Sequence, residues 1–182
     1  MDNDTLEGQL REMYGRVAYT HKTHEKMADH CIVRYRRIKT AEICLSALAA
    51  GSFILAIFGD TRTATITGSA LSTVLFAFLL YFKEASLGEQ AQKHTVSASK
   101  LWRVREELLG VLVDLRRSGD PERAAALRDA INEELEQIYR SAPRTNAKAY
   151  AAAQDALKNQ EELYFGDAEL DHLLPKQLRV SK

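Results

Sequence analysis

Cysteine, proline and glycine are all scarce in this chain: its 182 residues hold two Cys, three Pro and nine Gly. Two cysteines cannot build a disulfide framework. So few Pro and Gly exclude a collagenous or Pro/Gly-rich disordered chain. An excess of one charge is also missing, since 25 Lys and Arg balance 25 Asp and Glu, and a neutral chain has no global bias toward nucleic acid. No P-loop, dinucleotide glycine pattern, nucleophile elbow, EF-hand loop or Cys-x-x-Cys pair occurs. An enzyme therefore has no residue to rest on, and no cofactor is expected. The mean hydropathy of -0.29 is that of an ordinary soluble domain.

That mean conceals two uncharged runs. Ile43 to Gly59 has 17 residues without charge and Ala64 to Phe82 has 19. At about 1.5 Å per residue they make roughly 25 and 28 Å of helix, against a hydrocarbon core of about 30 Å. Asp60-Thr61-Arg62-Thr63 joins them, so the two spans form an antiparallel hairpin. The competing reading is a buried hairpin of a soluble bundle, but helices of that kind carry polar residues every third or fourth position. Arg34, Arg36, Arg37 and Lys39 precede the first span and Lys83 follows the second. The positive-inside rule then places both termini in the cytoplasm. Glu42, the one acid near a span, reads as an interfacial carboxylate near Lys39 or Arg37. Cys31 and Cys44 read as reduced packing residues.

On either side of the hairpin the apolar pattern is helical. Leu6, Leu10, Met13, Val17, Thr20, His24, Met27, Cys31, Arg34 and Ile38 alternate spacings of four and three, as do Leu87, Ala91, His94, Ala98, Leu101, Arg105, Leu108, Leu112 and Leu115. These are heptad stripes. They extend the hairpin as a two-helix stalk, and their polar interruptions imply packing against further helices. Asp120-Pro121 starts another helix, with Leu127, Ile131, Leu135 and Ile138 on one face. A further helix is expected from about Asn146 to Leu163, and a short one after Gly166 that Pro175 closes. No period-2 run suggests a strand. The expected fold is an all-α membrane protein: an N-terminal helix over 1–40, a two-span hairpin over 41–83, and a C-terminal helical region over 84–182.

Two constellations carry candidate function. Thr65, Ser69, Ser72 and Phe76 share one face of the second span, and Ala47 and Gly51 form a small-xxx-small pair on the first. Such residues favour close helix packing in lipid, and the same hydroxyl face could line a hydrated pore with Phe76 as an apolar constriction. One hairpin has no room for a pathway, so conduction requires a homo-oligomer. His21, His24 and Glu25 cluster on the first helix. A zinc pair is one reading, but His-Lys-Thr-His-Glu is not the metalloprotease arrangement. Packing histidines and a pH-responsive interface are the others. The basic collar at Arg34 to Lys39 reads as an anchor on anionic lipid or as part of a phosphate site in an oligomer, with Trp102-Arg103 and Arg116-Arg117 as weaker contributors.

The order of several short motifs resembles a known family. Tyr14 follows Met13, and the run Thr20 to Lys26, with His21, His24, Glu25 and Lys26, precedes the basic collar and the two spans. Beyond the long helix from Ala98 to Leu115 come Tyr139 and Pro143, Tyr150, and a tail ending in Pro175. This arrangement is similar to the SLATT family, the SMODS- and SLOG-associating two-transmembrane effectors of prokaryotic conflict systems. The resemblance implies a pore-forming or membrane-disrupting effector in the inner membrane that arrests growth or kills when phage is detected. It further implies control by a nucleotide second messenger from a nucleotidyltransferase, or by a SLOG or reverse-transcriptase partner. A membrane-anchored adaptor that recruits partners through its cytosolic helices is the alternative.

Overall fold

The computed structural model describes residues 3–59, 62–83 and 86–179. Asp2, Asp60, Thr61 and the side chain of Lys83 lie outside the described residues. Every described element is helical. α1 runs from Asn3 to Gly59, α2 from Arg62 to Lys83, α3 from Leu87 to Ser118 and α4 from Pro121 to Ser141. α5 spans Ala147–Lys158, α6 spans Asp167–Leu173, and a 3-10 turn follows at Lys176–Leu178.

α1 is one helix of 57 residues without a proline, so the apolar run continues the extramembrane helix without a break. α2 turns back along its second half, and Gly68 lets the two backbones approach. A Cβ built on Gly68 would sit 3.2 Å from the Ser52 Cβ. Ala49 is buried one turn before Ser52, and Ala64, Leu71, Ser72, Leu75, Phe78 and Phe82 are the half-buried positions of α2. The outer faces stay bare: Ile57 is 75% exposed and Phe76 is 64% exposed. In each candidate span only 6% of the most apolar 18-residue stretch is buried. A soluble protein buries such stretches, and water-soluble monomers rarely tolerate so large an apolar patch. These two helices are long and apolar enough to cross a membrane, and the reading as a soluble core hairpin fails on their exposure.

Below the hairpin, α3 runs antiparallel to the first half of α1. Leu6, Leu10, Met13 and Val17 meet Leu101, Val104, Leu108, Val111 and Leu115 in one core, which Ile131, Leu135 and Ile138 of α4 close from the side. The stripes read from the sequence shift in register. On α1, His21 and Ala28 are buried in place of Thr20 and Met27, while Arg34 is exposed. On α3, Val104 and Val111 replace Arg105 and Leu112 as the buried positions. A straight helix of 3.6 residues per turn drifts against a strict seven-residue repeat, so a long stripe must take an extra step of three or four. On α4, Ala124 is buried and Leu127 is 38% exposed, so the inward face is shifted from the expected one.

Local signals set the helix ends. Gly119 adopts the left-handed conformation at φ 63° and ends α3, with its N–H donating to the Leu115 carbonyl. Asp120 caps α4 by accepting from the Arg123 N–H at 3.1 Å, and Pro121 takes the first turn. Asp120→Ala should cost about 1 kcal/mol, read as a lower thermal midpoint with unchanged helicity at low temperature. Asn146 caps α5 in the same way, accepting from the Ala149 N–H. α5 ends at Lys158, short of the expected Leu163. Asp155 accepts from the side chains of Asn159 and Gln160 at 2.7 Å each. Glu161 then takes φ 52° and turns the chain back toward α1.

Candidate functional site

On the hairpin, Thr65, Ser69 and Phe76 are exposed and Ser72 is half-buried. Thr65, Ser69 and Phe76 lie beside the inner face of α2, so packing within one hairpin does not consume them, whereas Ser72 is half-buried like Leu71 and Leu75 and belongs to the edge of that face. Ala47 is exposed as well, and no atom lies within 4 Å of a Cβ built on Gly51. The small-residue contact inside the hairpin is Gly68 on Ser52 instead. Cys31 is buried and Cys44 is exposed on the hairpin surface. At the foot of the first span, Arg34, Arg36, Arg37 and Lys39 are exposed. Lys39 donates to Glu42 at 2.8 Å, which accounts for the acid near the span. Two of the weaker basic candidates are engaged between helices: Arg103 pairs with Glu134, and Arg116 with Glu7 at 2.6 Å, while Arg117 pairs with Asp114 of its own helix.

A buried polar cluster lies deeper in the bundle, where the stripes of α1 and α3 are both interrupted by histidine. His24 and His94 face each other with their Nδ1 atoms 2.9 Å apart, so one ring donates to the other and the accepting ring is neutral. Each is only 2% exposed. Burial, reinforced by His94 and His21, lowers the pKa of His24 to about 4. Burial lowers that of His94 also. His21 donates through Nδ1 to the Ala98 carbonyl at 3.0 Å, and burial holds it below the ordinary histidine value. No group of three or more His, Cys, Asp or Glu side chains suited to a metal ion occurs among the described residues.

One turn away a charged layer begins. Lys22 is buried and donates to Glu25 at 2.7 Å. It also pairs with Glu162, which comes from the segment after α5. Lys26 donates to the same carboxylate at 2.8 Å. Burial opposes the charge on Lys22, but the two carboxylates outweigh it and raise its pKa. The two lysines hold Glu162 below the usual carboxylate range. These side chains edge a cleft of about 700 Å³ between α1 and α3, which Trp102, Arg105, Asp29 and Leu163 also line. Tyr150 stacks on Tyr19 with ring centroids 6.1 Å apart and fastens α5 beside the cleft. Of the other motif residues, Tyr14 packs against the core, Tyr139 is half-exposed, Pro143 sits between α4 and α5, and Pro175 precedes the 3-10 turn.

His94, Arg105 and Glu162 belong to this cluster and were not singled out as site residues by the sequence. The first two were visible as polar breaks in an apolar stripe. Glu162 carried no signal, because its partner Lys26 is 136 positions away.

A two-span apolar hairpin on an α-helical stalk is the architecture that a family comparison also finds. Residues 6–169 match the model of the SMODS and SLOG-associating 2TM effector domain family 4. The chain belongs to the SLATT family. This SLATT domain is thus a two-transmembrane effector domain of the class associated with SMODS and SLOG defence systems. No curated protein and no solved structure matches it. The matched segment takes in both the exposed hydroxyl face of α2 and the α1–α3 cleft, including Glu162.

Proposed function

We infer that this SLATT protein is a homo-oligomeric pore of the inner membrane of a prokaryote, with both termini in the cytoplasm and no enzymatic activity of its own. The observation that carries this reading is the exposed Thr65, Ser69 and Phe76 face of α2, with Ser72 at its border. Hydroxyls turned to hydrocarbon make poor use of their polarity, whereas several hairpins arranged in a ring can turn them toward a shared aqueous path. The exposed basic collar fits the cytoplasmic membrane face. Opening requires a signal that binds the open and closed packings of the stalk with different affinity. A cyclic nucleotide, an upstream nucleotidyltransferase, or a SLOG or reverse-transcriptase partner supplies it on this reading.

The test is purified protein in dye-loaded liposomes with an ion-flux readout. The wild type should release dye once activated. The triple variant Thr65→Leu, Ser69→Leu, Ser72→Leu should insert and oligomerise equally while losing leakage. Leakage at the wild-type rate from that variant would sink the pore-lining assignment. A membrane-anchored adaptor is the second reading, favoured by exposed Tyr164, Phe165 and Leu173 in the tail. An adaptor keeps its partner recruitment in the triple variant and conducts in neither form.

A further inference from the structure

We propose that the buried His24–His94 pair is a proton-operated latch between α1 and α3, and that its protonation parts this seam locally and favours the open pore. The first half concerns the stalk alone, and the second rests on the pore reading.

The pair sits where the seam is thinnest. Farther from the membrane, Leu6 to Val17 meet Leu101 to Leu115 in a continuous apolar core. At the histidines and beyond, the buried residues of α1 are His21, His24, Ala28 and Cys31, and those of α3 are Ala91, His94 and Ala98. Small side chains bury little apolar area. The hydrogen bond between the two rings is therefore a large share of what joins the helices at this level.

That bond depends on its proton count. One proton lies between the two Nδ1 atoms, 2.9 Å apart. A first added proton binds the donor ring at Nε2, which keeps the bond but makes a cation in a site only 2% exposed. A second binds the acceptor ring at Nδ1, which sets donor against donor and removes the bond. Among the described residues no carboxylate pairs with either ring. On α1 the neighbour is His21, which donates to the Ala98 carbonyl, and beyond it lie Lys22 and Glu25, the latter 3.7 Å from the His21 Nε2. On α3, Arg105 repels a proton at His21. α5 packs on α1 with Ala149, Ala153 and Ala156 buried, and Glu162 beyond it is taken by Lys22 and Lys26. α4 brings Glu136 and Arg140 to Met13, Arg16 and Val17, two turns away. A cation here gains stability only when the seam parts and water reaches the ring.

The parted seam thus binds protons more tightly than the packed one, which is the differential affinity a gating ligand needs. A His24 that titrates at about 4 when packed and at its ordinary 6.5 when parted shifts the balance about thirtyfold between pH 7.5 and pH 5.0. On the pore reading the pair samples the cytosol, and protons entering through an open pore hold it open.

Cys31 is buried in the seam two turns after His24 and reports on it. In full-length Cys44→Ser protein in nanodiscs it is the single thiol. Its labelling by 4,4′-dithiodipyridine is measured at pH 7.5, 6.0 and 5.0, each rate divided by that of glutathione at the same pH. The relative rate should rise about thirtyfold toward pH 5.0 with an unchanged far-ultraviolet circular dichroism spectrum. The double variant His24→Gln, His94→Gln, whose amides can bond each other without titrating, should lose most of that rise. If it lacks the wild-type helical signal at pH 7.5, His24→Gln alone takes its place under the same criterion. A flat wild-type profile, an equal rise in the variant, or labelling that appears only as helix is lost overturns the latch. The same proteins in dye-loaded liposomes test the coupling, with leakage expected to rise on acidification in wild type and not in the variant. Leakage at pH 7.5 that ignores acid while labelling follows it refutes the coupling. No leakage at any pH refutes the pore and leaves the latch, and leakage with labelling that ignores pH refutes the latch and leaves the pore.

Discussion

Acidifying the protein from pH 7.5 to pH 5.0 should destabilise its extramembrane bundle by about 2 kcal/mol. The cause is His24, whose pKa lies at about 4 in the folded protein against an ordinary value of 6.5. As pH falls through 6.5 the unfolded chain takes up a proton at this position and the folded chain does not. Protonation therefore favours unfolding, and the loss accumulates until pH reaches the folded value. His94 and His21 are shifted downward as well and act in the same direction. Glu162 is held below the usual carboxylate range by Lys22 and Lys26, so its pairs with the two lysines persist across this window. The measurement is chemical or thermal unfolding of detergent-solubilised protein at the two pH values. His24→Gln should flatten the dependence while keeping a neutral partner for His94. An unchanged slope in that variant would refute the assignment to the histidine pair.

The second large effect is in the core. Leu101→Ala should cost about 3 kcal/mol, since Leu101 is fully buried where α3 meets α1 and its removal leaves a cavity. Leu109→Ala is the matched control on the same helix. Leu109 is 44% exposed, and its truncation should cost less than about 1 kcal/mol. Equal destabilisation by the two substitutions would mean that the α1–α3 seam is not packed as described. Denaturant unfolding of the two variants side by side separates these outcomes.

The hairpin was legible because lipid imposes a demand that one stretch of sequence must meet alone: about twenty residues without charge. Helix starts at Asp120 and Asn146 were legible for a similar reason, since a cap involves residues three positions apart. The stripes were legible as stripes, but their register was not. Whether Thr20 or His21 turns inward depends on drift accumulated over several turns and on which neighbour waits there. The end of α5 was hidden because neither Gly nor Pro interrupts the chain between Pro143 and Gly166. What stops it is a set of side-chain bonds to Asp155 and the turn at Glu161. The charged cleft was the least legible part. His24 with His94, and Lys22 and Lys26 with Glu162, are pairings of residues far apart in the chain, and no local spacing encodes them.

The unbroken course of α1 has a mechanical meaning. Asn3 lies about 57 Å along the axis from Ala41, at 1.5 Å per residue. A tilt of about 5° about the membrane entry then sweeps the far end by about 5 Å, one helical pitch. With no kink to absorb rotation, a twist imposed at His24 is delivered to Ala49 through the same rigid shaft. Small rearrangements at the cleft and displacements within the bilayer are two ends of one lever.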